Sequence, residues 1–160
     1  ESMSRLLIVR HGEATSPGGK RDFDRTLTPD GALQIQKLAE SLRQYHLNLA
    51  YIVASPAPRT EQTARILARA WSLDFERLDF DLVIYEANVS TLLDVLAERK
   101  SFGDPLVLVG HNPGLSSLAL ALAPGALGSA WPGLHTGGWV LLDLPPEDDD
   151  SSVVSLLATG

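Results

Sequence analysis

Three short polar segments of the sequence contain the residue types that carry phosphoryl chemistry. Arg10 and His11 lie in the first segment, Arg59 in the second and His111 in the third. A guanidinium group binds phosphate oxygens as a planar fork and stays charged at any working pH. A neutral imidazole is a competent nucleophile because its unperturbed pKa is about 6.5. The combination favours transfer of a phosphoryl group, whose charge is spread over three equatorial oxygens.

The neighbours of these residues also suit an anion. Gly12 leaves space for the backbone to approach a phosphate, and Asn112 is expected to add a polar contact. Two arginines near His11 would keep its pKa from rising, because like charges disfavour a protonated imidazole. A protonated His111 would donate a hydrogen bond to a phosphoryl oxygen. The joint pattern, rather than any single residue, predicts a phosphate site.

Each polar segment follows a continuous apolar run, at residues 6–9, 51–54 and 106–109. Such runs are typical of parallel strands that are buried on both faces. In open α/β sheets, ligands bind beyond the carboxyl ends of the strands. The sequence therefore predicts that the three polar segments meet at one edge of a sheet.

Helical signals separate the predicted strands. Thr28 is a predicted N-cap and Pro29 suits the first helical position, so we expect a helix that runs to about residue 46. Further helices are predicted from residue 59 to about 71, behind an N-cap at Ser90, and from Pro113 onward.

The remaining elements complete a mixed sheet. Residues 80–84 are expected to form a short strand or an extended segment. Residues 139–144 and 153–158 are predicted strands, joined by a solvated acidic turn at 145–150. This order predicts an α/β fold, a three-layer α/β/α sandwich with a mainly parallel mixed sheet.

Composition excludes several classes of protein. The 160 residues carry 13 Lys and Arg against 20 Asp and Glu, a net charge of −7, and they include no cysteine. The missing cysteines exclude a disulfide scaffold, a thiolate zinc site and a thiol nucleophile. The acidic balance argues against nucleic acid and anionic membranes as partners. We expect one domain over residues 1–160, cytoplasmic and monomeric, with Glu1 and Ser2 added ahead of a native start at Met3.

The three segments, in their order, resemble the motifs of the histidine phosphatase superfamily, which includes the phosphoglycerate mutases. The matching stretches, from residue 5 to about 122, are Arg10-His11-Gly12-Glu13, Ser55-Pro56-Ala57-Pro58-Arg59-Thr60, Gly110-His111-Asn112-Pro113-Gly114 and Leu27-Thr28-Pro29-Asp30-Gly31. One tripeptide would be weak evidence, but the ordered set is specific. The short chain and the His-Asn-Pro-Gly turn are most similar to the SixA-type phosphohistidine phosphatase branch.

The resemblance implies a phosphoglycerate mutase-like fold and a metal-independent phosphohydrolase without a cofactor. It implies that His11 is the nucleophile and is transiently phosphorylated before water releases the phosphate. Arg10, Arg59 and His111 would form the phosphate pocket, together with Gly12 and Asn112 beside them.

The proton donor stays open at this point. Larger members of the superfamily use an acidic residue between the second and third motifs, and Glu86 lies in that interval. Glu13 and Asp22 are alternatives, and Glu86 could equally be a surface residue beside the third helix. An enzyme for phosphohistidine could also manage without a strongly placed acid, because protonated imidazole leaves more easily than an alkoxide.

The leading hypothesis is a phosphatase acting on phosphohistidine in a protein. A phosphatase for a small phosphomonoester is the alternative, and a phosphoglycerate mutase is less favoured because the chain has little material for an enclosing lid. A non-catalytic phosphate-binding module is the third option. Near the last strands, His135 and Thr136 either contact phosphate or end a loop, while His46 is expected to be structural.

Overall fold

A single six-stranded sheet organises the computed structural model, which describes residues 4–146 and 154–160. The strands are β1 (Ser4–Arg10), β2 (Tyr51–Ala54), β3 (Leu78–Phe80), β4 (Leu106–Gly110), β5 (Trp139–Leu144) and β6 (Ser155–Thr159). They are arranged in the order β3-β2-β4-β1-β5-β6. The pairs among β3, β2, β4 and β1 are parallel, whereas β5 and β6 are antiparallel. The mainly parallel mixed sheet is therefore confirmed.

Helices cover both faces of the sheet. They are α1 (Pro29–Leu42), α2 (Pro58–Ala70), α3 (Val89–Arg99), α4 (Gly114–Leu122) and the short α5 (Pro124–Leu127). Leu7 and Val9 of β1 belong to the core shared with α1 and α2, while Leu6 and Ile8 belong to the core shared with α3 and α4. This alternation gives the predicted three layers, because successive side chains of a strand point to opposite faces. No helix in the described part of the chain is both long and apolar enough to cross a membrane.

Helix starts follow local capping chemistry. The Thr28 side chain accepts a hydrogen bond from the Gly31 N–H at 2.9 Å, and Pro29 occupies the first turn of α1, as predicted. The prediction of Ser90 as the N-cap of α3 is wrong. Asn88 caps this helix by accepting a 2.9 Å bond from the Thr91 N–H.

The expectation of a strand or extended segment at residues 80–84 is mostly wrong. β3 ends at Phe80, and Leu82–Ile84 is a 3₁₀ turn. The Asp81 carboxylate accepts a 3.1 Å bond from the Val83 N–H, which turns the chain away from the sheet. Residues 1–3 and 147–153, which include the proposed native start and most of the acidic turn, lie outside the described residues.

Register brings the carboxyl ends of three strands level. Arg10 of β1 is paired with Gly110 of β4, and Ala54 of β2 is paired with Val109. The next residues continue the alignment, since the His11 N–H donates to the Gly110 carbonyl at 3.2 Å. The three polar segments therefore meet at one edge, as the sequence predicts.

Candidate active site

A cavity of about 760 Å³ opens at the carboxyl ends of β1, β2 and β4. Its lining includes four of the predicted site residues that come from three separate chain segments: Arg10, His11, Arg59 and His111. Glu86 and Asn112 also line it. The strand-end geometry has thus gathered most of the residues that the sequence singled out.

The backbone around His11 fixes which of its nitrogens is free. Nδ1 lies 2.7 Å from the carbonyl oxygen of Gly12. Because a carbonyl can only accept, Nδ1 carries the hydrogen and Nε2 keeps its lone pair. Burial lowers the pKa of His11 to about 4 and outweighs the hydrogen bond to Gly12, which raises it; the charges of Arg59 and Arg10 lower it further. The imidazole is neutral near neutral pH and has the form that a nucleophile needs.

His111 lies next to His11, with 5.5 Å between the ring centroids. Its Nε2 is 2.8 Å from the Ser55 hydroxyl oxygen. Burial, followed by the charge of Arg59, lowers the pKa of His111 to about 3. Burial at this strand end disfavours the charged ring, so the lowered pKa of His111 argues against the expectation of a protonated His111.

Both predicted arginines form hydrogen bonds through their terminal Nη atoms and not through Nε. Arg10 donates from Nη1 to the Leu134 carbonyl at 3.0 Å. Arg59, which is only 4% exposed, donates from Nη1 to the Asp22 carbonyl at 2.8 Å and from Nη2 to the Asp22 carboxylate at 3.0 Å. The Nε atoms of both arginines are left without a partner. Burial and the nearby charges of Arg25 and Arg59 lower the pKa of Arg10.

Three unpaired buried nitrogens belong to residues that line this cavity. In residues 4–146 and 154–160, the buried side-chain nitrogen or oxygen atoms without a hydrogen-bond partner are Arg10 Nε, Arg59 Nε and His111 Nδ1. Buried polar groups in proteins are almost always paired, so each exception calls for an explanation. All three residues line the same cavity, and we interpret the unpaired nitrogens as part of an anion site.

Gly12 has a different role from the predicted one. Its N–H donates to the Thr63 hydroxyl at 3.2 Å, and a Cβ at this position would collide with the Gly31 carbonyl. Gly12 therefore lets the loop pack against α1 instead of leaving space for phosphate. Asn112 lines the cavity, but its amide donates to the Leu134 carbonyl and accepts from Ser116. This amide is engaged in holding the loop around residue 134.

Sequence reasoning missed Arg25 and Tyr85, which both surround Asp22. Arg25 lines the cavity and donates from Nη1 to Asp22 Oδ1 at 3.0 Å. The Tyr85 hydroxyl donates to Asp22 Oδ2 at 2.6 Å, and its ring packs edge-on against His111. The hydrogen bonds from Tyr85 and Arg25 hold the pKa of Asp22 well below its usual range. Burial, with the Asp22 contact, raises the pKa of Tyr85 to about 12.

The sequence feature that could have indicated Arg25 is its position three residues before the N-cap Thr28. Both carboxylate oxygens of Asp22 are engaged by Arg25, Arg59 and Tyr85, which argues against Asp22 as the proton donor offered as an alternative to Glu86. Glu13, the other alternative, lines the cavity and accepts a 2.8 Å hydrogen bond from the Thr28 hydroxyl.

Glu86 adopts the left-handed backbone conformation, with φ of 57°, which residues other than glycine rarely adopt. The segment is held on its other side by Gly114, where a Cβ would collide with the Ala87 carbonyl. Residues kept in sparsely populated backbone regions cluster at functional sites, because the surroundings must overcome the strain. His46 and Ser72 share this conformation away from the cavity, so the place of Glu86 in the cavity lining, and not its backbone alone, supports its candidacy.

The loop before β5 contributes one of its two predicted residues. Thr136 lines the cavity, while His135 is exposed and outside the lining. His46 ends the 3₁₀ turn after α1 in a left-handed conformation, consistent with a structural role. In the described ranges, no three His, Asp or Glu side chains are grouped so that they could hold a metal ion. Metal independence stays a prediction.

Comparison with known proteins now identifies the family. Residues 6–80 match the sequence profile of the histidine phosphatase superfamily (branch 1). The chain belongs to the histidine phosphatase superfamily. An uncharacterized protein from Picosynechococcus is 35% identical over 125 residues, which cover 77% of this chain and 75% of that protein.

Two further superfamily relatives differ in the activity that their names assign. A solved structure from Agrobacterium tumefaciens, provisionally assigned as the phosphohistidine phosphatase SixA, superposes with a TM-score of 0.81. It is 26% identical, and the match covers 98% of this chain and 97% of that one. A protein from Enterobacter, provisionally named phosphoglycerate mutase GpmB, is 39% identical over 75 residues. That match covers 45% of this chain and 34% of the mutase.

Proposed function

We propose that this protein is a phosphatase that acts through a phosphohistidine intermediate on His11, with phosphohistidine in a protein as its substrate. The observation that carries the proposal is the set of three unpartnered buried nitrogens beside a histidine with a free Nε2 lone pair. This set matches the needs of phosphoryl transfer, which depends on positioning and on stabilising charge at the phosphoryl oxygens.

The first half of the reaction transfers the phosphoryl group to His11. The Nε2 lone pair forms a bond to phosphorus while the bond from phosphorus to the leaving nitrogen breaks. The electron pair of that bond goes to the leaving imidazole, which takes up a proton. Water then attacks the phosphorylated His11, the electron pair of the Nε2–phosphorus bond returns to the ring, and inorganic phosphate is released.

The arginines have the electrostatic role. Arg10 and Arg59 would donate from Nε to the phosphoryl oxygens, while Arg25 adds a third positive charge at the cavity. Such preorganised donors stabilise the transition state because they need no reorganisation as charge develops.

The cavity wall outside the three arginines supports the proposed substrate class. It is formed by the segment around Glu86, with Ala87 and Val89, and by the start of α4 at Pro113. Within the described residues, this wall carries no lysine or arginine, whereas the phosphate side carries three arginines. A neutral or cationic imidazole fits a wall with one carboxylate and apolar contacts, and Glu86 is our candidate for supplying its proton.

The same wall disfavours a phosphoglycerate mutase. The leaving group of that reaction carries a carboxylate, and the lining residues 86–89 and 113–114 include no lysine or arginine that could bind it. A small phosphomonoester with an uncharged alcohol is the second candidate function, because the cavity is larger than a phosphoryl group and its apolar lining would accept such a group. A cytoplasmic location, a phosphorylated protein partner and a monomeric state stay predictions.

The test compares turnover on a phosphohistidine-containing protein with turnover on a panel of phosphomonoesters. We expect the phosphohistidine protein to be preferred, and an acid-labile phosphoryl group to be trapped on the wild-type protein. Both signals should vanish in His11→Ala and persist in His135→Ala, which removes an exposed histidine outside the cavity. A metabolite turned over as fast or faster would favour the second candidate. Equally slow phosphate release by wild type and His11→Ala would exclude catalysis by His11 and favour the non-catalytic phosphate-binding module.

A further inference from the structure

The Ser55 hydroxyl contacts a ring nitrogen of His111 in the interior of the protein. Ser55 is fully buried, and its Oγ is 2.8 Å from His111 Nε2. Other bonds fix its position: the Ser55 N–H donates to the Val109 carbonyl at 3.2 Å, and its carbonyl accepts from the Thr60 hydroxyl at 2.7 Å. The backbone of Ser55 is therefore held in place by β4 and the start of α2, independently of the histidine that its hydroxyl contacts.

Counting donors and acceptors decides the direction of the contact. Ser55 Oγ already accepts the Ala57 N–H at 3.3 Å. Within the described residues, the acceptor in reach of the hydroxyl hydrogen is His111 Nε2. If Nε2 carried the ring hydrogen, both the Ser55 hydroxyl hydrogen and the His111 Nδ1 lone pair would be buried without partners. If Nδ1 carries it, the Nδ1–H is the single group left over, and unpaired buried groups are costly.

We propose that Ser55 is a positioning residue that sets the Nδ1–H tautomer of His111, so that the neutral ring donates a hydrogen bond to a phosphoryl oxygen. This inference rests on the proposed function for its role in turnover, although the tautomer itself does not depend on turnover. It resolves how His111 serves an anion without a positive charge. A neutral imidazole is a donor at one nitrogen only, and the partner at the other nitrogen decides which.

The two histidines of the site then have complementary forms. The Gly12 carbonyl holds the hydrogen of His11 on Nδ1 and leaves Nε2 as a lone pair for attack. The Ser55 hydroxyl occupies the Nε2 lone pair of His111 and leaves Nδ1–H as a donor. Both rings carry their hydrogen on Nδ1, yet one presents a lone pair and the other a hydrogen to the phosphoryl group.

The first experiment measures the tautomer directly in the intact wild-type protein. Nitrogen NMR of protein labelled in histidine, near neutral pH, distinguishes protonated from unprotonated ring nitrogens, and the His111 signals are assigned by their loss in His111→Gln. We expect a protonated Nδ1 and an unprotonated Nε2. The opposite tautomer, or a doubly protonated ring, would overturn the inference, whether or not the protein is an active phosphatase.

The second experiment tests the consequence for anion binding and turnover. In Ser55→Ala we expect affinity for inorganic phosphate and kcat each to fall by about tenfold, the loss expected from one hydrogen bond to a charged group. The His111 nitrogen signals should move toward the other tautomer, and Ser55→Thr, which keeps a hydroxyl, should restore the wild-type pattern. Unchanged signals and kinetics in Ser55→Ala would overturn the inference. Wild-type protein with the expected tautomer but no turnover would instead overturn the proposed function alone.

Discussion

Replacing Asp22 with asparagine removes a negative charge from the phosphate pocket and leaves the shape of the side chain nearly unchanged. The Asp22 carboxylate accepts hydrogen bonds from Arg25, Arg59 and Tyr85. It therefore binds the guanidinium groups of Arg25 and Arg59, which a phosphoryl group in the cavity would also contact. The bond from Arg59 to the main-chain carbonyl of residue 22 persists in the variant. We expect Asp22→Asn to bind inorganic phosphate more tightly than the wild type does.

Distance and exposure set the size of this effect. One guanidinium group would separate the Asp22 carboxylate from a bound phosphate, so the two anions would lie about 7 Å apart. Two unit charges at this distance repel by about 0.6 kcal/mol in water, or by about 2.4 kcal/mol at a dielectric constant of about 20. The Asp22 side chain is 48% exposed, so values in the lower half of this range apply. The dissociation constant of inorganic phosphate should therefore fall by about three- to tenfold.

Calorimetric titration with inorganic phosphate at mildly acidic pH, where the phosphate carries mainly one negative charge, measures this change without requiring turnover. Asp24→Asn is the matched control, because it makes the same charge change on the same 3₁₀ turn, where Asp24 is paired with Arg21 outside the cavity. The difference between the two variants should shrink as salt is added, since exposed charges are screened. Phosphate affinity that is unchanged or weaker in Asp22→Asn, or equally tightened in Asp24→Asn, would refute the reasoning.

Three further predictions concern stability and the proton donor. The pKa of buried His11 is lowered to about 4 from about 6.5 in the unfolded chain, so the free energy of unfolding should fall by up to about 3 kcal/mol as pH drops through this window. Denaturant titrations over this pH range should show a flatter dependence for His11→Asn, and an unchanged slope would contradict the assignment. Gly31→Ala places a Cβ against the Glu13 carbonyl and should lower the free energy of unfolding by about 1–3 kcal/mol. Gly125→Ala, with open space around it, should leave the free energy of unfolding unchanged in the same denaturant titration. An equal loss of stability in both variants would count against the collision at Gly31. Glu86→Gln should slow hydrolysis of an alkyl phosphate by about a hundredfold but leave nitrophenyl phosphate nearly unaffected, and equal losses on both substrates would exclude a proton-donor role.

Strand ends were the part of the site that the sequence could predict. Arg10, His11, Arg59 and His111 each follow an apolar run or begin the helix after one, and parallel strands bring such positions together whatever the side chains are. The start of α1 was also predictable, because Thr28 and Pro29 act on their immediate neighbours. These features depend on residues close in sequence and on one rule of topology.

Contacts between distant side chains could not be predicted in the same way. The Tyr85 contact with Asp22 joins residues 63 apart, and the contact of Ser55 with His111 joins residues 56 apart. Spacing in the sequence gives no measure of such distances. The lowered pKa of His111 could not be predicted for the same reason, because burial is a property of the packed fold.

The two helical layers contribute opposite halves of the cavity. The layer of α1 and α2, with the loop before it, supplies Arg25 and Arg59, whereas the layer of α3 and α4 borders the wall around Glu86. The sheet between them keeps the two cores separate. Substitutions in the α3–α4 layer should therefore change which phosphorylated molecules are accepted without altering how the phosphate is held. A fold built in this way can acquire new substrates through changes in one layer while the other keeps the chemistry constant.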